Sequence, residues 1–149
     1  MHFAPSVHDN VVYGYSVDCE GRRLVLYTAF RDCQPNVFTD VIFHDVFAHH
    51  FEYVLDGNIL FDIEEVDIGS FVHENAAIFG NSWRYAWPSF VYGGNLDLLV
   101  IALHAASARA YRISSSYAMS GWVLARNSER VVRGSPEGFF WPSAAVGRR

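Results

Sequence analysis

Val11-Val12-Tyr13-Gly14-Tyr15-Ser16-Val17-Asp18, then Cys19-Glu20-Gly21-Arg22, then Arg23-Leu24-Val25-Leu26-Tyr27-Thr28-Ala29-Phe30: this stretch decides the fold. Val11, Tyr13, Tyr15 and Val17 alternate with smaller or polar residues, and Leu24, Leu26, Thr28 and Phe30 alternate again. A period of two is the signature of strands with two unlike faces. Asp18 to Gly21 supplies the turn chemistry between them. The stretch therefore predicts an antiparallel hairpin, and the rest of the chain has to build on a sheet.

Downstream, Gln34-Pro35-Asn36 reads as a loop, and residues 37–54 are rich in β-branched and aromatic side chains. Phe43, Phe47 and Phe51 also recur at helical spacing, but the composition favours one or two strands kinked near His44-Asp45. Asp56-Gly57-Asn58 marks a turn. Ile59 to Val66 reads as a strand with Ile59, Phe61 and Ile63 on one face, leaving Asp62 and Glu64 on the other. Asp67 can cap a helix running to about Ser82, with Phe71, Val72, Ile78 and Phe79 as its apolar stripe. Trp87-Pro88 stops its continuation. Leu96 to His104 is apolar on both faces and predicts a central strand. The last two strands are expected at 108–114 and 121–126, joined through Ser115 to Ser120. The resulting class is α+β: a mostly antiparallel sheet of six to seven strands with one principal α-helix packed on it. A chain of 149 residues, 51% apolar and 18% charged, makes one folded domain, residues 1–149, with 134–149 as a partly docked tail carrying Phe139, Phe140 and Trp141.

Charge is divided unevenly. Residues 1–75 hold three arginines against thirteen carboxylates, a balance of −10, and residues 76–149 hold eight arginines against three carboxylates, a balance of +5. There is no lysine. Such asymmetry predicts an acidic region that repels nucleic acid and attracts basic proteins. If the first hairpin forms, Cys19 sits in its turn and Cys33 lies beyond its far end, roughly 40 Å away, whereas a disulfide needs Cα atoms about 6 Å apart. Two free thiols follow, and with them a reducing compartment. The N-terminus has neither basic flank nor apolar run, and Leu98 to Leu103 is far shorter than a membrane span. A soluble cytoplasmic protein of bacterial type is the expectation.

No complete catalytic signature is present. His44, Asp45, His49, His50 and Glu52 are metal-ligand or general-base residue types, but no HExxH or paired CxxC spacing supports them. Half-exposed imidazoles on an edge strand are the plainer reading. Asp62, Glu64, Glu65 and Asp67, with Asp40, Asp45, Glu52 and Asp56 upstream, could divide acid and base roles, or form a face that a cationic partner neutralises. Ser114, Ser115, Ser116 and Ser120 lack the G-x-S-x-G context of a nucleophile and read as hydroxyls satisfying backbone groups, with His104 a core histidine. Trp83, Tyr85, Trp87, Phe90 and Tyr92 could line a pocket but fit core packing beneath the helix.

Three stretches carry a likeness: Ile59-Leu60-Phe61-Asp62-Ile63-Glu64-Glu65-Val66-Asp67, then Trp87-Pro88, then Ser115-Ser116-Tyr117-Ala118-Met119-Ser120-Gly121-Trp122-Val123. In this order, over roughly residues 7–126, the chain resembles small uncharacterised bacterial proteins, some of them similar to immunity proteins of polymorphic-toxin systems. The resemblance implies a cytosolic, non-enzymatic, single-domain protein. Its motifs are structural in character and carry over no site residues.

These readings converge on a protein-binding module: an immunity-type inhibitor that occludes a basic toxin domain, with Asp40, Asp45, Glu52, Asp62, Glu64 and Glu65 as the partner-binding carboxylates. No catalytic residue, metal or cofactor is expected, and neither nucleic acid nor membrane is a partner. The alternative is an enzyme or small-ligand or metal binder using the His44–Glu52 segment beside an aromatic pocket. A homodimer through exposed aromatic edges is the third reading.

Overall fold

The computed structural model describes residues 5–135. Six antiparallel strands run β1 (Val11–Asp18), β2 (Arg23–Phe30), β3 (Val37–Glu52), β4 (Asn58–Val66), β5 (Arg109–Tyr117) and β6 (Ser120–Arg133). They close into a barrel in the order β1-β2-β3-β6-β5-β4. Three short helices, α1 (Ile68–Glu74), α2 (Ala76–Ser82) and α3 (Leu96–Ala105), lie between β4 and β5. The α+β class and the antiparallel sheet hold. The count is six strands, and three short helices replace the single principal helix. The expected docking of residues 139–141 falls outside the described residues.

The hairpin forms, and β2 alternates as read, with Leu24 and Leu26 pointing into the barrel and Val25 and Tyr27 on its outer face with Ile42. β1 departs from its expected alternation, because a register shift between Val12 and Gly14 puts Val12 on the inner face with Tyr15 and Val17 and turns Tyr13 outward. The kink expected in residues 37–54 is a bulge inside one unbroken strand. Asp45 takes a left-handed φ of 55°, and the β3–β6 register shifts between Val46 and Ala48. Arg22 stitches the bend, its carbonyl accepting from the Val46 amide at 2.8 Å and its Nε donating to the Val46 carbonyl at 3.3 Å. A second irregularity, between Leu60 and Asp62, changes the parity of β4. Leu60 and Ile63 are therefore buried and Phe61 is exposed, so Phe61 does not share the inner face with Ile63. One bulge flips every side chain beyond it.

Two helical expectations need correction. The helix foreseen from Asp67 to Ser82 is capped by Asp67, which accepts from the Ser70 amide at 2.9 Å, but it breaks at Asn75. The Asn75 amide group donates to the Phe71 carbonyl at 2.9 Å, competing with the backbone for its acceptor. The segment foreseen as a central strand from Leu96 is α3. Asn95 caps it, accepting from the amides of Asp97 and Leu98, and Leu99 and Leu103, four residues apart, carry its buried stripe. An apolar run of this length fits either element by periodicity alone. The helices cover the outer face of β3, β5 and β6 through Phe71, Val72, Phe79, Leu99 and Leu103 against Ala48, Trp122 and Leu124. Among the described residues two large cores result, one inside the barrel and one between barrel and helices, beside the smaller outer cluster of Val25, Tyr27 and Ile42. β6 also runs far past the expected Arg126, because residues 127–133 pair with the first half of β3.

Candidate functional site

The carboxylates of the first half do not gather into one acidic face. Asp40 is 1% exposed and ion-paired with Arg133, so it is withdrawn as a partner-binding residue. Glu64 and Glu65 on β4 meet Arg112 and Arg109 on the neighbouring β5 at 3.8 and 3.6 Å, and Arg112 also binds Glu74. In each pair an arginine of the second half of the chain lies on a carboxylate of the first. Asp62 accepts from the Ile63 amide, and Asp45 occupies the half-buried bend of β3. Glu52 is exposed and lies 2.9 Å from the His50 ring. The strand pairing of β5 with β4 and of β6 with β3 thus brings second-half arginines onto four of the thirteen first-half carboxylates, Asp40, Glu64, Glu65 and Glu74, while Asp18, Glu20, Glu52 and Asp56 stay exposed.

The other sequence candidates resolve in the same way. Hydroxyls of Ser114, Ser115 and Ser116 donate to the carbonyls of Asp62, Met119 and Ile59. His104 is exposed and not a core residue. It lines a cavity of about 420 Å³ with Glu65, Asp67, Ser107, Arg109 and Arg126. Trp83, Trp87, Phe90 and Tyr92 belong to the helix–barrel core, with the Tyr92 hydroxyl donating to the Phe79 carbonyl at 2.7 Å, while Tyr85 is exposed. His44 lies 3.6 Å from Glu129, and His50 stacks on Trp122. Among the described residues, no three His, Cys, Asp or Glu side chains converge as a metal site, and no helix is long and apolar enough to cross a membrane. Cys19 and Cys33 are free thiols, as the hairpin geometry required.

What the barrel does leave open is one end. Tyr15 and Val17 pair across the ladder with Leu26 and Leu24, so they share the inner face with two fully buried leucines. Yet they are 37% and 39% exposed. The reason is topological. Among the described residues, β1 pairs with β4 at Val11–Ile59 and Val12–Asn58 alone, and β3 beyond Val46 pairs with β6 alone. Between these two strand halves the wall parts. Phe51 reaches across from β3 to meet the Tyr15 ring edge-on at 5.2 Å, and His49, on the same face as Phe51, packs against it at 5.2 Å. Burial, then the neighbouring His50, holds the His49 imidazole below its ordinary pKa.

The rim of this mouth is apolar. Tyr53 (74% exposed, with a left-handed φ of 57°), Val54 and Leu55 (53% exposed) follow β3 directly. Val54 and Leu55 line a groove of about 250 Å³ with Tyr13, Gly14 and Tyr15. Asn58 holds the loop in place. Its side chain accepts from the amides of Leu55 and Met119 and donates to the carbonyls of Leu55 and Val12. Exposed Asp18, Glu20, Glu52 and Asp56 flank the same segments. The reading from sequence had Glu52 and His49 but missed Tyr15, Val17, Tyr53 and Leu55, and the one available signal was an apolar triplet, residues 53–55, placed immediately before a turn.

No family model matches this chain, and neither a curated protein nor a solved structure matches it. The molecule is described by its own geometry: a six-stranded antiparallel barrel, flanked by three helices, with an apolar mouth.

Proposed function

We propose that this chain is a non-enzymatic protein-binding module that docks a cationic protein at the mouth of its barrel, in the manner of an immunity-type inhibitor occluding a toxin domain. One observation carries the reading: the inward-facing residues Tyr15 and Val17 are exposed together with Tyr53, Val54 and Leu55. Water-exposed apolar side chains on a strand's core face are unfavourable in the isolated protein and become favourable when a partner covers them. Tyrosine is a frequent anchor of such contacts because it buries a large ring at low entropic cost. The carboxylates that support steering are the rim set Asp18, Glu20, Glu52 and Asp56, in place of the paired Asp40, Glu64 and Glu65.

The test is binding to a panel of basic toxin-type protein domains, using the wild-type chain and the Tyr53→Ala/Leu55→Asp double variant. The expected result is a complex whose affinity falls at least about tenfold in the variant and whose association slows as salt is raised. Equal affinity for both chains removes the mouth as the docking surface. An association rate indifferent to ionic strength removes the steering.

The alternative of a small-ligand binder is favoured by one contact, the His49 ring on Phe51 beside Tyr15. A ligand of aromatic character that quenches tyrosine fluorescence in the wild type and not in Phe51→Ala would establish it in place of the protein partner.

A further inference from the structure

The barrel has two gaps in its wall, and the fold treats them differently. At one, the edge of β6 beyond Arg126 lacks a β5 partner. There Arg130 spans the opening, its guanidinium donating to the carbonyls of Pro5 and Ile63, the latter on β4. At the other, between the second halves of β1 and β3, the ring contact of Tyr15 with Phe51 is the crossing made by side chains. Among the described residues no strand pairs with the outer edge of β1 from Gly14 to Asp18. All four residues from Tyr15 to Asp18 are exposed.

An antiparallel strand directs the N–H and C=O of alternate residues to opposite edges, so half of the backbone polar groups of this segment point away from β2. Such an edge is a template for another strand. Natural sheets guard their edges with charge, proline or a covering element. Between Gly14 and Val17 there is none of the first two, and Asp18 is the nearest charge.

We propose that the partner adds an extended segment to β1 as a further strand, running along Gly14–Asp18 and setting its alternate side chains against Tyr15 and Val17. This rests on the docking reading above and specifies its mode. Charge selects the occupant. The exposed charges beside this edge are Asp18, Glu20, Glu52 and Asp56 against Arg22 and Arg23 of the same hairpin end, a balance of −2. A second copy would bring the same negative balance, whereas a segment carrying arginine or lysine meets it with opposite sign. The chemistry that fits is therefore an extended basic peptide segment with apolar residues at every second position.

The probe is a short peptide alternating arginine and valine, paired with the same peptide N-methylated at alternate amides so that one backbone edge cannot donate. Binding to the full-length chain is followed by calorimetry and by amide hydrogen exchange. The expected result is slowed exchange at alternate amides of residues 14–18 and at least about a tenfold loss of affinity on N-methylation of one edge. Binding that is weakened by Tyr15→Ala but indifferent to N-methylation, with no protection in β1, overturns strand addition and leaves side-chain docking standing. Peptide that does not bind, or binds wild type and Tyr15→Ala alike, overturns both. Concentration-dependent dimerisation of the free chain with protection of the same amides overturns the choice of occupant.

Discussion

Gly121 shows how much a single atom can decide. It faces Phe51 across the β3–β6 ladder with φ 151°, and a Cβ built there would lie 1.9 Å from the His50 carbonyl oxygen. Only glycine lets the two strands close behind the mouth. Gly121→Ala is expected to destabilise the fold by about 3 kcal/mol, read as a shift in the urea midpoint. His49 supplies a pH dependence. Its pKa is lowered in the folded state, so below the free imidazole value of 6.5 the unfolded chain takes up the proton first. Stability is then full above that value and declines as pH falls through it. Urea midpoints from about pH 8 to about pH 5.5 should fall more steeply in wild type than in His49→Gln, and parallel curves would show that His49 does not contribute. Neither residue's role is readable in one dimension. Gly121 reads as the first residue of a strand and the histidine pair as ligand-type residues, and what each does depends on the strand opposite.

At the scale of elements, local chemistry and packing part company in the two helical segments. Caps were legible: Asp67 was recognisable as a helix start from its residue type and the apolar stripe after it. Asn95 is an equally good cap by residue type, but the expectation of a strand from Leu96 leaves it no helix to cap. With leucine at four positions, α3 has the composition of a helix, and its burial on one stripe comes from the barrel it packs on. Asn95→Ala should cost about 1 kcal/mol, visible as a lower thermal midpoint with unchanged helix content at low temperature. The hairpin β1–β2 was legible because alternation and turn chemistry agree from Gly14 to Phe30, whereas the register shift between Val12 and Gly14 left no trace in that pattern. The extension of β6 to Arg133 was not, since residues 127–133 are mostly exposed and lack a strand's apolar face.

For the whole molecule, closure is the governing fact. The seam between β1 and β4 rests on Val11–Ile59 and Val12–Asn58, while β3 and β6 pair along nearly their full lengths. Hydrogen exchange should therefore open the β1–β4 seam first and the β3–β6 centre last, and the reverse order would contradict this account of the barrel. The charge pairs that closure creates are partly solvated, so Glu64→Gln should shift stability by less than about 1 kcal/mol. By itself the sequence determined an α+β chain, its first hairpin, the kink at Asp45 and two unlinked thiols, because each follows from periodicity or chain length between neighbours. Only the tertiary structure decided that the sheet closes, that Asp40, Glu64, Glu65 and Glu74 are met by arginines of the other half, and that Tyr15 and Val17 stand open at a mouth. These outcomes depend on which strands lie side by side, and a residue's burial and partner are set across the sheet, by chain that can be a hundred residues away.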